Sequence, residues 1–207
     1  MRLSPKTRLS SVKHLKRVDD KLRDVILRVG PLKMRTDRNR YGMLVRSILS
    51  QQISVSAATS IRNKLLALVD GQLEPERIMA NSDEELRSAG ISPQKLRYLR
   101  DLSDRVSSGE LQLTQIGRQS DEGVIERLTT VKGIGRWTAQ MFLMFSLCRP
   151  DVFPVGDLGI RNGIGKMYRF TERPSEAECL EISEKWAPYR TIASWYCWRV
   201  LESDDEW

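Results

Sequence analysis

The chain has 207 residues, 40% hydrophobic and 29% charged, a composition ordinary for a globular protein able to bury a full core. No apolar run reaches the ~20 residues of a membrane span, and the opening Met-Arg-Leu-Ser-Pro-Lys has no signal-peptide apolar region, so the expected compartment is the cytoplasm, or the nucleus in a eukaryote. The net charge of +7 is uneven: residues 1–50 hold 14 Lys+Arg against 4 Asp+Glu, and the rest hold 20 against 23. A basic first part fits a polyanion, although a solvated face has the same composition.

Residues 1–10 read as a loose basic leader. Apolar residues at 15, 18, 22, 25, 26 and 29 then predict one helix over Val12 to Val29, stopped by Gly30-Pro31. A charged loop, Thr36 to Arg40, leads to a short helix from Tyr41 to Ser50. Gln51-Gln52-Ile53-Ser54 breaks it, and Ser54 caps a helix through Leu68. Pro75 to Ala80 makes a short helical turn. Ser82 with Glu85 is a capping box for a helix that Gly90 ends, and Ser92-Pro93 opens the next, which runs to Gly109.

Ser120 caps a further helix, Trp137 to Leu147 forms another, and a helix runs from the Asp157 loop to Tyr168. Ser175 with Glu178 is a second capping box, for a helix to Trp186, and Pro188 separates it from a last helix through Leu201. The Ser-Asp-Asp-Glu near the C-terminus is expected to fray. The sum is an all-α protein of about ten helices, with no strand alternation and no linker long enough to separate independent domains.

Chemistry is limited by what is missing. Cys148, Cys179 and Cys197 form no Cys-x-x-Cys pair, so neither a zinc site nor a four-cysteine iron–sulfur cluster can be assembled, and each is expected to be a small buried hydrophobe. His14 is the only histidine and lies among basic residues, which leaves no Ser-His or Cys-His pair.

The informative stretch is Leu128 to Arg161. Gly133 and Gly135 flank Ile134, with helix-forming sequence on both sides. This reads as a tight helix–turn–helix connection in which both glycines supply positive φ and Ile134 anchors the turn. The first N–H groups of the second helix are left without intrahelical partners and suit a phosphate, bracketed by Lys132 and Arg136. An ordinary αα-hairpin carries the same Gly-x-Gly. Asp157 follows Pro154 and Gly156 and takes the N-cap position of the next helix, where the helix N-terminus stabilises a carboxylate.

Leu-Thr-Thr-Val-Lys-Gly-Ile-Gly-Arg-Trp-Thr-Ala, residues 128 to 139, resembles the helix-hairpin-helix of DNA repair glycosylases, and the Pro154-to-Asp157 loop resembles the segment that follows it there. The likeness runs over about Tyr41 to Leu201 and is strongest to the 3-methyladenine DNA glycosylase II branch. It implies two helical lobes, roughly 36–130 and 11–35 with 131–207, with a groove between them. Residues 1–40 are too helical for the N-terminal β-rich domain of some relatives, so a core-only form is expected. It also implies hydrolysis of the N-glycosidic bond of an alkylated purine in double-stranded DNA, by a monomer, after the base is extruded. Asp157 would be the catalytic carboxylate. Trp137 and Trp198 would be aromatic walls of the base pocket, with Met141 replacing a third pocket aromatic. Gln52 would fill the gap left by the extruded nucleotide.

Lys132, Gly133, Gly135 and the N–H groups near Arg136 and Thr138 would bind phosphate, and the backbone around Thr130, Val131 and Ile134 would coordinate Na+ or K+ when DNA is bound. Relatives that also cut the backbone carry a Schiff-base lysine where this chain has Trp137, so strand scission is not expected. The competing expectations are a glycosylase for other lesions and a non-catalytic DNA-binding module.

Overall fold

The computed structural model describes residues 3–202, and among these the regular structure is twelve α-helices and one short 3-10 helix, with no strand. The helices are α1 Pro5–Val18, α2 Asp20–Val29, α3 Arg40–Ser50, α4 Val55–Leu68, α5 Pro75–Ala80, α6 Asp83–Ser88, α7 Pro93–Ser107, α8 Asp121–Thr129, α9 Arg136–Phe145, α10 Leu158–Tyr168, α11 Glu176–Glu184 and α12 Arg190–Val200. Nine of them start at a side-chain cap, and both predicted capping boxes close as reciprocal hydrogen bonds, at Ser82/Glu85 and Ser175/Glu178. The expected fraying at 203–206 lies outside the described residues.

Two elements differ from the sequence reading. The leader is helical from Pro5, because Ser4 accepts the Thr7 N–H and Pro5 occupies the first turn, where a missing N–H costs nothing. The single helix over Val12 to Val29 is two helices, broken at Asp19, which takes an extended conformation (φ −149°) and caps α2 through the Leu22 N–H.

The chain forms two compact units, residues 37–146 and residues 1–36 with 147–207. The lobe boundary expected near residue 130 therefore moves beyond α9. That helix stays with the first unit because it packs on α8 and α3 and buries Phe142, Leu143 and Met144. The core of the 37–146 unit also includes Leu44, Val45 and Ile48 of α3, Leu99 and Leu102 of α7, and Val124 and Leu128 of α8. Each such side chain contributes about 1.5–3 kcal/mol by leaving water.

In the other unit α10 and α12 pack most closely, with α2 against both. The core there is Leu22, Val25, Ile26, Ile160, Ile164, Ile192, Tyr196 and Val200. Asp19 is buried in this unit, yet it is well supplied with donors: the Leu22 N–H, the Tyr168 hydroxyl, the Trp186 indole N–H at 2.6 Å and the Lys185 ammonium at 3.4 Å. Burial pushes its carboxyl up. The hydrogen bonds from Tyr168, Trp186 and Leu22, with the Lys185 charge, more than offset that and hold it below the ordinary value of 3.8.

Candidate functional site

The hairpin between α8 and α9 is built as the sequence predicts in one glycine and not in the other. Gly133 has φ +80°, and a Cβ there would lie 2.1 Å from the Tyr98 ring, so both conformation and packing demand glycine. Ile134 and Val131 are buried and anchor the turn. Gly135, expected to share the positive φ, instead has φ −95° and ψ 175°, extended backbone open to any residue. Nothing lies within 4 Å of a Cβ placed on it. The protein's own packing does not require this glycine.

Gly135 is the N-cap of α9, and no side chain caps that helix. The amides of its first turn, among them those of Arg136 and Thr138, lack intrahelical acceptors by position, which gives this N-terminus anion-binding character. The charges around it are arranged differently from the sequence reading. Arg136 does not bracket the turn as a free cation: its guanidinium forks onto Glu122 at 2.6 and 2.9 Å. This pairing raises the Arg136 pKa and lowers that of Glu122. Lys132 is exposed, but its backbone N–H donates to Asp101 Oδ2 at 2.8 Å, so only its ammonium is offered to an anion.

Gln52 follows α3 and stands exposed with φ +56°, a left-handed conformation that a non-glycine residue seldom adopts. Its neighbour Gln51 donates from Nε2 to the Gly133 carbonyl at 2.7 Å, and Lys95 Nζ donates to the Leu49 carbonyl at 2.7 Å at the end of α3. Partial burial lowers the Lys95 pKa. These residues, Tyr98 and the hairpin turn line one cleft of about 630 Å³ that carries Gln52 and Thr129 through Gly135. The contacts of Gln51, Lys95 and Tyr98 are not legible in the sequence, because they span 46 residues or more of chain or, for Tyr98, join α7 to the hairpin turn.

Asp157 caps α10, with Oδ1 accepting the Ile160 N–H at 2.8 Å. Its own N–H closes a turn onto the Pro154 carbonyl at 2.9 Å. Oδ1 also accepts the indole N–H of Trp198 at 3.0 Å, so two donors fix the plane of a half-buried carboxylate. Trp198 reaches it because α10 lacks side chains where α12 approaches. A Cβ on Gly159 would lie 3.0 Å from both Trp198 Cδ1 and Asp157 Oδ1, and one on Gly163 would lie 2.2 Å from the Cys197 carbonyl oxygen.

Of the other expected pocket residues, Trp137 is on the first turn of α9 and 47% exposed, whereas Met141, one turn on, is buried at 6%. Trp186 and Trp195 are packed in the core. All three cysteines are buried and outside any disulfide, and burial raises each thiol. Among the described residues no group of His, Cys, Asp and Glu side chains is suited to a metal ion.

Among the described residues the structure is all helical, with a hairpin whose second helix starts without a side-chain cap and an aspartate that caps the next helix after a proline turn. A family model described as HhH-GPD superfamily base excision DNA repair protein matches residues 45–188, and the chain belongs to that superfamily. It is 37% identical to DNA-3-methyladenine glycosylase 1 of Schizosaccharomyces pombe over 198 residues, covering 93% of this chain and 87% of that one. Among solved structures it resembles a DNA-3-methyladenine glycosidase from Bacillus halodurans, with TM-score 0.84, 39% identity and coverage of 95% and 88%. It also resembles the S. pombe 3-methyladenine DNA glycosylase in complex with abasic DNA, with TM-score 0.84, 36% identity and coverage of 94% and 98%.

Proposed function

We propose that the chain is a monofunctional DNA N-glycosylase of base excision repair that removes alkylated purines of the 3-methyladenine type. The observation that supports this most is the Asp157 carboxylate, held in one orientation at a helix start by the Ile160 and Trp198 N–H groups. Breaking the C1′–N bond sends the electron pair to the departing base and leaves oxocarbenium character on the sugar. A fixed carboxylate beside that carbon stabilises the developing charge and orients the water that adds to it. A base that is already cationic leaves as a neutral molecule, so no second acid is needed.

The remaining residues serve delivery. The α9 amides, with Gly133, Gly135 and the Lys132 ammonium, hold a backbone phosphate. Gln52, already in a strained backbone conformation at the cleft rim, enters the gap left by the extruded nucleotide. Trp198 offers a flat face to the extruded base, and an aromatic face attracts a cationic base by about 0.5–2 kcal/mol more than a neutral one. Arg136 joins the phosphate contacts by exchanging Glu122 for DNA. Thr130, Val131 and Ile134 line the same cleft, and their backbone oxygens would suit a hard monovalent cation such as Na+ or K+, since a carbonyl keeps a second lone pair when it accepts one hydrogen bond.

Asp157 and Trp198 come from one chain, so a monomer suffices. No helix among the described residues is long and apolar enough to cross a membrane. The proposed working place is wherever the genomic DNA lies, in bacterial cytoplasm or a nucleus.

Asp157→Asn tests the reading, because asparagine caps a helix about as well as aspartate. Base release from methylated duplex, revealed by alkaline cleavage, should fall about 100-fold or more, while affinity for duplex containing an abasic-site analogue stays. Equal loss of both would make Asp157 a structural cap only. Strand scission without alkali would refute the monofunctional assignment.

A further inference from the structure

We infer that Trp198 is a positioning residue for the Asp157 carboxylate, acting through its indole N–H in addition to any contact its ring makes with the base. The inference rests on the reading of Asp157 as the carboxylate that faces the sugar. An aromatic wall needs only the π-face of a ring, and a phenylalanine or tyrosine would supply it. Here the polar edge of the indole is committed: Nε1 lies 3.0 Å from Asp157 Oδ1, the oxygen that also takes the Ile160 N–H. With two donors on one oxygen, rotation about the Cβ–Cγ bond would break both bonds, so the carboxylate is held before substrate arrives.

The surrounding packing is arranged around that contact. Gly159 is on the first turn of α10, two residues after the cap, and a Cβ there would meet Trp198 Cδ1 and Nε1 at 3.0 and 3.1 Å. Gly163, one turn on, leaves room for the Cys197 carbonyl of the residue before Trp198. The two glycines thus form a notch into which one turn of α12 settles. The start of α12 is fixed independently. Asp151 accepts from the Arg190 N–H at 3.1 Å and from its guanidinium at 2.8 and 2.7 Å, and the Thr191 hydroxyl accepts the Val152 N–H at 2.9 Å. The segment 149–152, which leads into the Asp157 loop, therefore sets the register of the helix whose other end carries Trp198. The indole is locked against the loop from both directions.

A wall and a positioning donor differ in what they change. Loss of a wall weakens the hold on the base, whereas loss of the donor leaves the bound complex intact and slows bond breaking. The test uses Trp198→Phe, which keeps a ring without a donor, and replacement of Trp198 by β-(3-benzothienyl)alanine, which keeps the bicyclic outline and exchanges the N–H for sulfur. Single-turnover base release from a duplex carrying 7-methylguanine is measured with the dissociation constant for a duplex bearing 2′-fluoro-2′-deoxy-7-methylguanosine, which keeps its base because the fluorine disfavours oxocarbenium formation.

Both variants should lose about 10-fold or more in the single-turnover rate with the dissociation constant within about 2-fold of the parent, the pattern of a charge-assisted hydrogen bond used in the transition state. A benzothienyl variant with the parental rate, or a loss confined to the dissociation constant, would overturn the inference. Asp157→Asn is assayed alongside. If it is inactive while the benzothienyl variant matches the parent, only the role of Trp198 falls. If Asp157→Asn releases base normally, the reading of the carboxylate falls with it.

Discussion

Replacing Gly163 by alanine strikes the closest backbone approach in the unit that carries Asp157. The new Cβ would stand 2.2 Å from the Cys197 carbonyl oxygen and 2.8 Å from its carbon, where ordinary contact begins at 3.4 Å. No rotamer relieves this, because the obstruction is backbone. Either α10 or α12 must move by about 1.2 Å, the difference between those two distances. Overpacking of this kind costs about 1–3 kcal/mol, and close packing transmits the strain to the neighbours. Alanine in a helix interior returns about 1 kcal/mol relative to glycine.

The net loss is up to about 2 kcal/mol, which for a domain of this size lowers Tm by up to roughly 8 °C. The displacement also carries Trp198 away from Asp157, so the single-turnover rate should fall more than the melting temperature alone explains. Thermal unfolding followed by circular dichroism, with base release measured well below Tm, tests both parts. A Tm at or above the parent's would show that the two helices tolerate a methyl group, and the notch argument would be wrong.

Two further outcomes follow from the geometry. Gly135→Ala adds a methyl group where nothing in the protein lies within 4 Å and where φ is ordinary. Stability should hold or rise by about 0.4–1 kcal/mol, while affinity for duplex DNA falls about 10-fold because the methyl group occupies the approach to the α9 amides; unchanged affinity in a filter-binding or anisotropy titration would remove the phosphate site from this turn. Asp19→Asn should destabilise the protein by about 3 kcal/mol at pH 7 by leaving Tyr168, Trp186 and Lys185 without their charged acceptor. Because the folded carboxyl lies below its ordinary value of 3.8, its contribution is complete above that pH and is lost as pH falls through the folded value. Urea midpoints from pH 7 to pH 2 should therefore converge for parent and variant at the acid end, and parallel curves would contradict the assignment of charge to Asp19.

The sequence reading succeeds where the signal is local. Capping boxes at Ser82 and Ser175, the proline-led helices and the Asp157 cap each depend on residues three or four apart, and all appear at the stated places. It fails where distant chain decides. Apolar periodicity runs straight through Asp19, since Leu15, Val18 and Leu22 keep helical spacing across the break. What breaks the helix is a buried carboxylate whose partners Tyr168 and Trp186 lie 149 and 167 residues away. Ser4-Pro5 was a legible start signal overshadowed by the surrounding charge.

At the candidate site local chemistry marks Gly133 as the turn glycine and Asp157 as a helix cap, and the catalytic expectation for Asp157 comes from the resemblance alone. The sequence cannot supply the Arg136–Glu122 fork, which requires knowing how α8 and α9 face each other, nor the indole donor on Asp157, which crosses 41 residues. Nor does any pattern mark Gln51, because an amide that bridges to a carbonyl 82 residues on has no periodicity.

Methylating chemicals that damage DNA also attack thiolates, the most nucleophilic groups a protein displays at neutral pH. Cys148, Cys179 and Cys197 are all buried, and burial raises each of them away from the thiolate form. A molecule built this way presents such reagents with no ready thiolate. It can stay folded and active during the very exposure that creates its work.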